Sequence, residues 1–410
     1  MPAPDRRYLL HLLFFVCFAT LFEGYDLLIV NLALPFIGEE FSVSSETLGT
    51  AVGVINIGTI AAFIPVRLAD RYGRRSVFLT AIFAYTLFTI LSAFSVGLYD
   101  FVAYQFVARM FMVTEIGIGA IILTEEMPAR WRGAAVTLMF ALSLLGGALG
   151  SVIFPFLVDT ELGWRALYLV GGALFPVLLV YGPRLRETRR HVEERARVVP
   201  ESILAALKAT RVVFSKRYRR RALAGTAIWF TVNAWSSACL FFFAYYVTNE
   251  RSWDRTTLSY ALTLGYGLAV VGYATAGPML DLGGRKFTAA LYFSVGALSA
   301  YLCFTAESSV VITAAYVVVL GMHALWPIAA TITSEIFPTA IRGTANAVVN
   351  NLLGRSGMAL APAIVGVLST RLGSVGDAVA WVSLLPLLCL PVILLLVAET
   401  RGKELEEIDR

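Results

Sequence analysis

Charged residues are scarce in this sequence, and familiar arrangements of catalytic residues are missing. Asp, Glu, Lys and Arg make up 15% of the 410 residues, against about 25% in soluble domains. The sequence contains no Gly-rich phosphate loop with its lysine, no metal-ligand cluster and no hydrolase triad. These absences argue against an enzyme and against an ATP-driven pump, and we expect neither a cofactor nor a bound metal.

Cysteine is also rare, and its positions argue against disulfides. The four cysteines, Cys17, Cys239, Cys303 and Cys389, all lie inside apolar runs. Their positions show no disulfide pattern, so we expect them to be buried as small hydrophobic residues.

Apolar residues, in contrast, are abundant and occur in long runs. They make up 58% of the sequence, and a run of about 20 is enough for a helix to cross a bilayer. A large soluble helical protein would need polar outer faces, which most of these runs lack. The sequence therefore predicts an all-α membrane protein with twelve transmembrane helices. The candidate spans cover approximately residues 8–36, 47–66, 77–96, 100–124, 134–158, 164–182, 222–248, 256–279, 287–305, 309–333, 344–370 and 377–398.

The first apolar run has the basic start and apolar core of a signal peptide. No small-x-small cleavage site follows it, however, and the apolar run resumes after Asp26 and continues to Phe36. We therefore interpret it as the first span.

Lysine and arginine placement predicts the orientation of the spans. With the N-terminus in the cytoplasm, 27 of the 33 basic residues lie on the cytoplasmic side and four lie outside, as the positive-inside rule requires. The sequence thus predicts a plasma (inner) membrane protein with both termini in the cytoplasm. The net charge of +5 reflects this topology and not nucleic-acid binding. We expect a monomer in the lipid bilayer.

One long polar stretch, residues 184–221, divides the chain and contains thirteen of the basic residues. We interpret it as a solvated cytoplasmic linker with helices at the membrane surface. It separates an N-terminal six-helix bundle, residues 1–183, from a C-terminal bundle with a short cytoplasmic tail, residues 222–410.

Two loop motifs occur in both halves at nearly the same offset. RLADRYGRR (67–75) aligns with part of GPMLDLGGRK (277–286) at an offset of 211, and EEMPARWRG (125–133) aligns with EIFPTAIRG (335–343) at an offset of 210. Two independent motifs at one offset indicate a duplicated six-helix unit, and therefore two pseudo-symmetric bundles. The aligned pairs are Asp70 and Asp281, Gly73 and Gly284, Arg74 and Arg285, Arg75 and Lys286, Glu125 and Glu335, and Arg132 and Arg342.

The residue types in these loops have a physical explanation. An aspartate at a helix start accepts backbone N–H bonds and complements the positive end of the helix dipole. Gly73 permits a tight turn, and Arg74 and Arg75 can pair with acids of a neighbouring helix. Simple helix capping together with positive-inside charge is the alternative interpretation.

These motifs resemble those of the major facilitator superfamily, and the resemblance covers the whole chain. The GYD of the first span and the closing ETRGKELEEI (399–408) are similar to the branch of sugar porters, aromatic-acid:proton symporters and organic-ion transporters. The resemblance implies that the loop residues, here called the gating latches, stabilise the outward-open state. Glu125 and Glu335 would be their acidic partners.

Ionisable residues inside the predicted spans are few: Glu23, Asp26, Arg109, Glu115, His323 and Arg355. Such residues usually face the bundle interior or an aqueous path and mark functional sites. Glu23 and Asp26 are three residues apart and share one face of a helix. Two neighbouring carboxylates in a low dielectric are not expected to ionise together, which suits a proton-coupling site.

The resemblance implies that Asp26 couples protons together with an arginine of the fourth span. Arg109 is the candidate, although Gln105 occupies the position at which the family has its arginine. Glu115 is either a second functional acid of that span or an ion-pair partner for another helix. Arg355 is placed to bind a substrate carboxylate through two hydrogen bonds, with an interhelix salt bridge as the alternative.

Further residues are candidates for the wall of a substrate cavity, although aromatic residues are also common at membrane interfaces. His323 is either a titrating group or a hydrogen-bonded packing residue. The Gln-Gln pair that sugar porters carry in the seventh span is absent from AIWFTVNAWSSA (227–238), which argues against a sugar substrate. The wall candidates are Tyr25, Trp229, Asn233, Trp235, Tyr266, Trp326 and Asn350.

The leading hypothesis is a secondary transporter that carries a small organic anion, such as an aromatic carboxylate, in symport with protons by alternating access. One alternative is an exporter or uniporter of a sugar, a neutral metabolite or an organic cation. For a cation, Glu23 and Glu115 would be the binding residues. A second alternative is a membrane sensor with the same fold that transports nothing.

Overall fold

The computed structural model describes the backbone of residues 5–188, 211–338 and 341–401. Most of the predicted linker and the end of the C-terminal tail lie outside the described residues. So do the side chains of two predicted latch residues, Asp70 and Arg132. Within these ranges the structure also describes only the backbone of Arg71, Ala129, Arg130, Gly133 and Gly343.

Twelve helices in the described part of the chain are long and apolar enough to cross a membrane, and these residues contain no β-strand. The prediction of an all-α membrane protein with twelve spans is confirmed. The spans are α1 Arg6–Glu40, α2 Ser45–Ala69, α3 Arg74–Ser92, α4 Leu98–Glu126, α5 Ala134–Val158, α6 Arg165–Arg184, α7 Arg219–Glu250, α8 Arg255–Gly283, α9 Arg285–Thr305, α10 Ser309–Glu335, α11 Thr344–Leu372 and α12 Val375–Leu396.

Several spans are not single regular α-helices. Glycines and prolines at such breaks are tolerated in membrane spans because neighbouring groups satisfy the freed backbone. Some helices also extend beyond the spans given above. α2 consists of Ser45–Ala61 and Phe63–Tyr72, the second running past the span, and the α5 helix begins before its span, at Ala129. α6 consists of Arg165–Gly171, Leu174–Tyr181 and a 3-10 turn at Gly182–Arg184, and α7 ends in a π-helical turn, Tyr246–Glu250. α10 comprises Ser309–Gly321, a 3-10 turn at Met322–Ala324 and Leu325–Glu335; α11 comprises Arg342–Asn346, a π-helical turn at Ala347–Gly354 and Ser356–Leu372; α12 comprises Val375–Val382 and Leu385–Leu396.

The spans differ in how much of their surface is buried inside the protein. The most apolar stretch of α7 is 83% buried and that of α1 is 67% buried, whereas that of α5 is only 28% buried. A helix that is apolar all round is suited either to a protein core or to lipid. α1 and α7, the first spans of the two halves, are therefore the most interior of the described helices.

The chain divides into two compact units. The first unit contains Met1–Ile37 and Gly58–Ser202, and the second contains Gly38–Ile57 and Ile203–Arg410, each as far as the structure describes it. The core of the first unit contains residues from each of α1 to α6, and its fully buried residues include Phe15, Phe78 and Ile118. All four cysteines are buried and unbridged, as the sequence predicts.

Candidate functional site

The contact between α1 and α5 brings a hydroxyl group to one of the acids of α1. A Cβ atom on Gly24 would lie 1.8 Å from the Ser143 carbonyl oxygen, and one on Gly146 would lie 1.8 Å from that of Leu21. Only glycine permits backbones to approach this closely. The approach lets the Ser143 hydroxyl donate a hydrogen bond to Glu23 Oε2 (2.7 Å), and the Glu23 residue is 3% exposed.

Asp26, one turn further along α1, lies between α3 and α6. Thr89 of α3 donates its hydroxyl hydrogen to Asp26 Oδ2 (3.0 Å). A Cβ atom on Gly171 of α6 would lie only 2.7 Å from Asp26 Oδ1 and 2.8 Å from the Thr89 methyl carbon. The carboxyl group therefore occupies a narrow slot, with 6% of the residue exposed.

Arg109 of α4 contributes the positive charge near these acids. It is 3% exposed, and its charge interacts with those of Glu23 and Asp26 and with the Tyr168 hydroxyl. Gln105, at the position where the family has its arginine, instead donates a hydrogen bond to the Ser92 hydroxyl (2.9 Å). The structure thus brings Glu23, Asp26 and Arg109 into one buried cluster of the first unit.

Glu115 is a third acid in this interior. It is fully buried. Its carboxyl group interacts electrostatically with the carboxyl group of Glu23 and with the Tyr85 hydroxyl. Among the residues that the structure describes, neither of its carboxyl oxygens accepts a hydrogen bond. Glu115 is therefore not in direct hydrogen-bond contact with a basic side chain of the described residues.

The charge balance of this acid cluster, defined as Glu23, Asp26, Arg109 and Glu115, decides its chemistry. If all four groups were ionised, the three carboxylates and one guanidinium would together carry a net charge of −2. A buried, unpaired charge costs far more free energy than taking up a proton. The arrangement is chemically suited to bind and release protons.

Tyr25 has a clear structural role in the same unit. Its hydroxyl donates to the Leu167 carbonyl oxygen (2.8 Å), and its ring packs against Gly150, where a Cβ atom would lie 3.1 Å from it. The residue is 3% exposed, so it links α1 with α5 and α6.

In the second unit, three predicted site residues lie together in the interior. His323 is located in the 3-10 turn of α10, and its Nε2 atom shares a hydrogen bond with the Ser236 hydroxyl of α7 (2.8 Å). The Trp235 ring lies 5.4 Å from the His323 ring. Asn233 donates to the Trp229 carbonyl oxygen (2.7 Å), and both Asn233 and Trp235 are fully buried.

Arg355 and Asn350 lie at the π-helical turn of α11. The Arg355 backbone N–H donates to the Asn350 carbonyl oxygen (2.9 Å), and both residues are partly exposed. Gly354 and Gly357 let α11 approach α7, since Cβ atoms there would lie 2.5 Å from the Trp229 side chain and 2.2 Å from a backbone oxygen. Single π-helical turns occur frequently at functional sites.

In the first unit, several residues of the predicted latch lie in contact with acidic side chains. Gly73 has φ +103°, a conformation that favours glycine, and it connects α2 to α3. Arg74 Nε lies 3.6 Å from Glu125 Oε1. The Arg75 backbone N–H donates to Glu187 Oε1 (3.1 Å).

The latch of the second unit is bidentate. Arg285 donates from Nε and Nη2 to the two oxygens of Glu335 (3.0 and 2.8 Å), and its Nη1 atom lies 3.5 Å from the exposed Asp281 carboxylate. Gly284 has φ +89°. Arg342 donates to the Phe337 carbonyl oxygen (3.3 Å), which places it beside the same loop.

Sequence reasoning missed the carboxylates that cap α3 and α9. Glu187 accepts the Arg75 N–H, and Glu399 accepts the N–H groups of Arg285 (2.9 Å) and Lys286 (3.0 Å). Burial raises the pKa of Glu399, but these backbone donors outweigh burial and hold its pKa below the ordinary value. The sequence contained a signal for them, because Glu-Thr-Arg occurs at 187–189 and again at 399–401, an offset of 212.

Ser143, Thr89 and Gly171 were also missed as neighbours of the two α1 acids. No short motif identifies them, since each lies on a different helix far along the chain from Glu23 and Asp26. Only the packing of α3, α5 and α6 around α1 identifies them.

Known proteins with similar sequences or structures are transporters. The niacin transporter NiaP of Acinetobacter baylyi is 25% identical over 447 residues, covering 99% of this chain and 97% of the relative. The 4-hydroxybenzoate transporter PcaK of Pseudomonas aeruginosa is 28% identical over 210 residues, covering 50% of this chain and 46% of the relative. The inward-open structure of the xylose transporter XylE from E. coli shares the fold, with a TM-score of 0.76 at 19% identity over 98% of this chain and 99% of that one.

A family model agrees with these similarities and with the repeated loops of the two halves. The model for the Major Facilitator Superfamily matches residues 16–249 and 227–409. The protein is a multi-pass membrane transporter and not an enzyme, and its twelve spans form two six-helix bundles. The chain belongs to the major facilitator superfamily.

Proposed function

We propose that this protein is a secondary active transporter that couples the movement of a small organic carboxylate to that of protons by alternating access. The observation that carries the proposal is the acid cluster of the first unit, in which the charges of Glu23 and Asp26 interact with that of the buried Arg109, and the buried Glu115 lies near Glu23. Intramembrane acids of this kind are typical of proton relays in transporters. A purely structural helix contact has no need for three of them.

The relatives and the basic residues support one class of substrate. NiaP and PcaK are named for niacin and 4-hydroxybenzoate, which are both aromatic monocarboxylic acids. Arg109 and Arg355 are candidates to bind such a carboxylate, because a guanidinium forms two parallel hydrogen bonds with it. We therefore propose an aromatic or heteroaromatic monocarboxylate as the substrate.

In the proposed cycle, protonation of Asp26 or Glu23 removes one of the two negative charges that interact with Arg109. The arginine then becomes available to the substrate carboxylate, so that proton and anion bind together. The gating latches are proposed to open and close as the transporter turns over. Deprotonation toward the cytoplasm restores the attraction between acid and arginine and releases the substrate.

We further propose that the protein acts as a monomer in the plasma membrane, with both termini in the cytoplasm. The distribution of 27 of its 33 basic residues to one side supports this orientation.

The test is transport by the full-length protein in liposomes that contain a pH-sensitive dye, with nicotinate and 4-hydroxybenzoate as probes. We expect inward proton movement with at least one of these acids. Asp26→Asn should abolish accumulation against a gradient while leaving exchange of labelled substrate, because a carboxamide does not carry the proton. Asp377→Asn, which alters an exposed aspartate at the start of α12, is the matched control and should transport normally.

Accumulation by Asp26→Asn equal to that of the unaltered protein would contradict proton coupling at this residue. The uniporter or exporter would instead be favoured if nicotinamide or an organic cation exchanged without proton movement and neither acid produced any transport signal.

A further inference from the structure

The two oxygens of the Asp26 carboxyl group have different surroundings. Oδ2 accepts the hydrogen bond from Thr89 (3.0 Å). Oδ1 accepts none from the residues that the structure describes, and it faces Gly171, where a Cβ atom would lie 2.7 Å away. One oxygen is thus occupied by a donor and the other is available to a proton.

We propose that Thr89 and Gly171 are positioning residues for proton coupling, which fix the orientation of the Asp26 carboxyl group and set the pH at which it exchanges its proton. This inference rests on the proposed function of Asp26. It assigns to α3 and α6 a role in a step that the sequence attributes to α1 and α4 alone.

The orientation of Thr89 follows from its β-branched side chain and from its contact with Gly171. A threonine has two heavy atoms on Cβ and few allowed χ1 rotamers. A Cβ atom on Gly171 would lie 2.8 Å from the Thr89 methyl carbon, so the methyl group packs against the glycine. With the methyl group held there, the hydroxyl group is directed at Asp26.

Other titratable groups also face Asp26 from each helix packed around it. These groups are Glu23 and Tyr25 on α1, Tyr85 on α3, Arg109 on α4 and Tyr168 on α6. Of them, Glu23 and Arg109 act on Asp26 through charge, whereas Thr89 acts by direct contact. The Tyr25 hydroxyl donates its hydrogen bond to the Leu167 carbonyl oxygen and not to Asp26. Among the described residues, Thr89 is the hydrogen-bond donor to the Asp26 carboxyl group.

The test compares Thr89→Val and Thr89→Ser by infrared difference spectroscopy of the full-length protein during a pH titration. The carboxyl band of Asp26 is identified by its loss in Asp26→Asn, so no substrate is needed. Valine keeps the shape of threonine but removes the donor that favours the ionised carboxylate. We expect the midpoint of the Asp26 band to move to higher pH by about one unit, the effect of one hydrogen bond to a charged group.

Thr89→Ser keeps the hydroxyl and should retain a midpoint close to that of the unaltered protein. Gly171→Ala adds a methyl group into the slot and should also shift the midpoint, since the Asp26 carboxyl must move. The pH profile of nicotinate or 4-hydroxybenzoate uptake should follow the same shifts, and Thr89→Val should retain uptake to higher pH.

Thr86→Val is the matched control, because Thr86 is also fully buried in α3, one turn earlier, and forms no hydrogen bond with a carboxyl group of the described residues. It should leave the midpoint unchanged. An unchanged midpoint in Thr89→Val, with an Asp26 band that titrates normally, would overturn the positioning role alone. An Asp26 band that does not titrate at all between pH 4 and pH 9 would overturn the proposed proton coupling itself.

Discussion

The described carboxyl groups of this protein differ in the kind of hydrogen-bond donor that each one accepts from. Glu23 accepts a hydrogen bond from a serine hydroxyl and Asp26 accepts one from a threonine hydroxyl. Glu399 accepts backbone N–H groups at the start of α9. The described residues offer Glu115 no donor. Since a donor favours the ionised form of a carboxyl group, these contacts separate acids suited to proton exchange from acids that stabilise a helix end.

Glu399 is expected to contribute stability that depends on pH. Its pKa lies below the ordinary value because the backbone donors of α9 outweigh burial. This stability is present above the pKa of the unfolded chain, about 4.3, and is lost as the pH falls through the lower pKa of the folded protein. Glu399→Gln should therefore lower the melting temperature of the protein in detergent by about 1–3 °C at pH 7, as expected for loss of a helix cap.

As the pH falls below about 4.3 and through the lower pKa of the folded protein, the difference between Glu399→Gln and the unaltered protein should shrink and then disappear. Glu161→Gln, at an exposed position between α5 and α6, is the control and should leave the melting temperature unchanged at both pH values. A difference that persists at low pH would mean that the charge of Glu399 is not what stabilises α9.

At the scale of helices, the α1–α5 contact determines where Glu23 lies. The two backbones touch at Gly24 and Gly146, and the carbonyl oxygens opposite them leave no space for a Cβ atom. Without a hydrophobic driving force between helices in lipid, close packing of this kind is a main source of association. The position of Glu23 therefore depends on residues without side chains.

Gly146→Ala is expected to separate α1 from α5. The added Cβ atom would lie 1.8 Å from the Leu21 carbonyl oxygen, and backbone does not yield as a flexible side chain does. We expect a large loss of monodisperse protein after detergent extraction, measured by size-exclusion chromatography. Gly267→Ala in α8 is the matched control, because a Cβ atom there meets nothing within 4 Å; alanine should even stabilise that helix by about 0.5–1 kcal/mol. Equal yields of the two variants would show that the α1–α5 contact relaxes without cost.

At the scale of the whole molecule, the two six-helix bundles repeat the same device at the start of their third helix. A glycine with positive φ precedes the helix, an arginine begins it, and a glutamate from beyond the sixth span of the same half accepts a backbone N–H of the first turn, from Arg75 in one half and from Arg285 and Lys286 in the other. The repeat therefore includes three loop motifs at offsets of 210–212. The interiors of the two units differ in the described residues. The acid cluster lies in the first unit, and the hydrogen-bonded pair of His323 and Ser236 lies in the second.

The proposed orientation of the whole molecule is testable by thiol labelling, because all four native cysteines are buried. We expect Glu161→Cys to react with a membrane-impermeant maleimide in intact cells, since its loop is predicted to lie outside. Lys216→Cys, an exposed position just before α7, should react only after permeabilisation. The unaltered protein is the control for background labelling, and the opposite pattern would reverse the predicted topology.

Much of the architecture could be read from the chain because the bilayer imposes a simple rule. Apolar runs must be about as long as the membrane is thick, so the twelve spans were predicted and are confirmed in the described residues. The loop repeats indicated two related halves, and Glu23 and Asp26 were predicted as neighbours because three residues separate them on a helix. Each of these conclusions depends on residues close together in sequence.

The partners of those acids depend on how the helices pack, and no sequence period encodes that. Spans that are apolar on most faces carry little information about which side meets which neighbour. Thr89 lies 63 residues from Asp26 in the chain, and it meets the carboxyl group because α3 and α6 close around α1, with Gly171 leaving the space. The ionisable side chains were therefore evident from the amino-acid order, whereas the donors that control them arose only from the rotation and close approach of helices in the folded bundle.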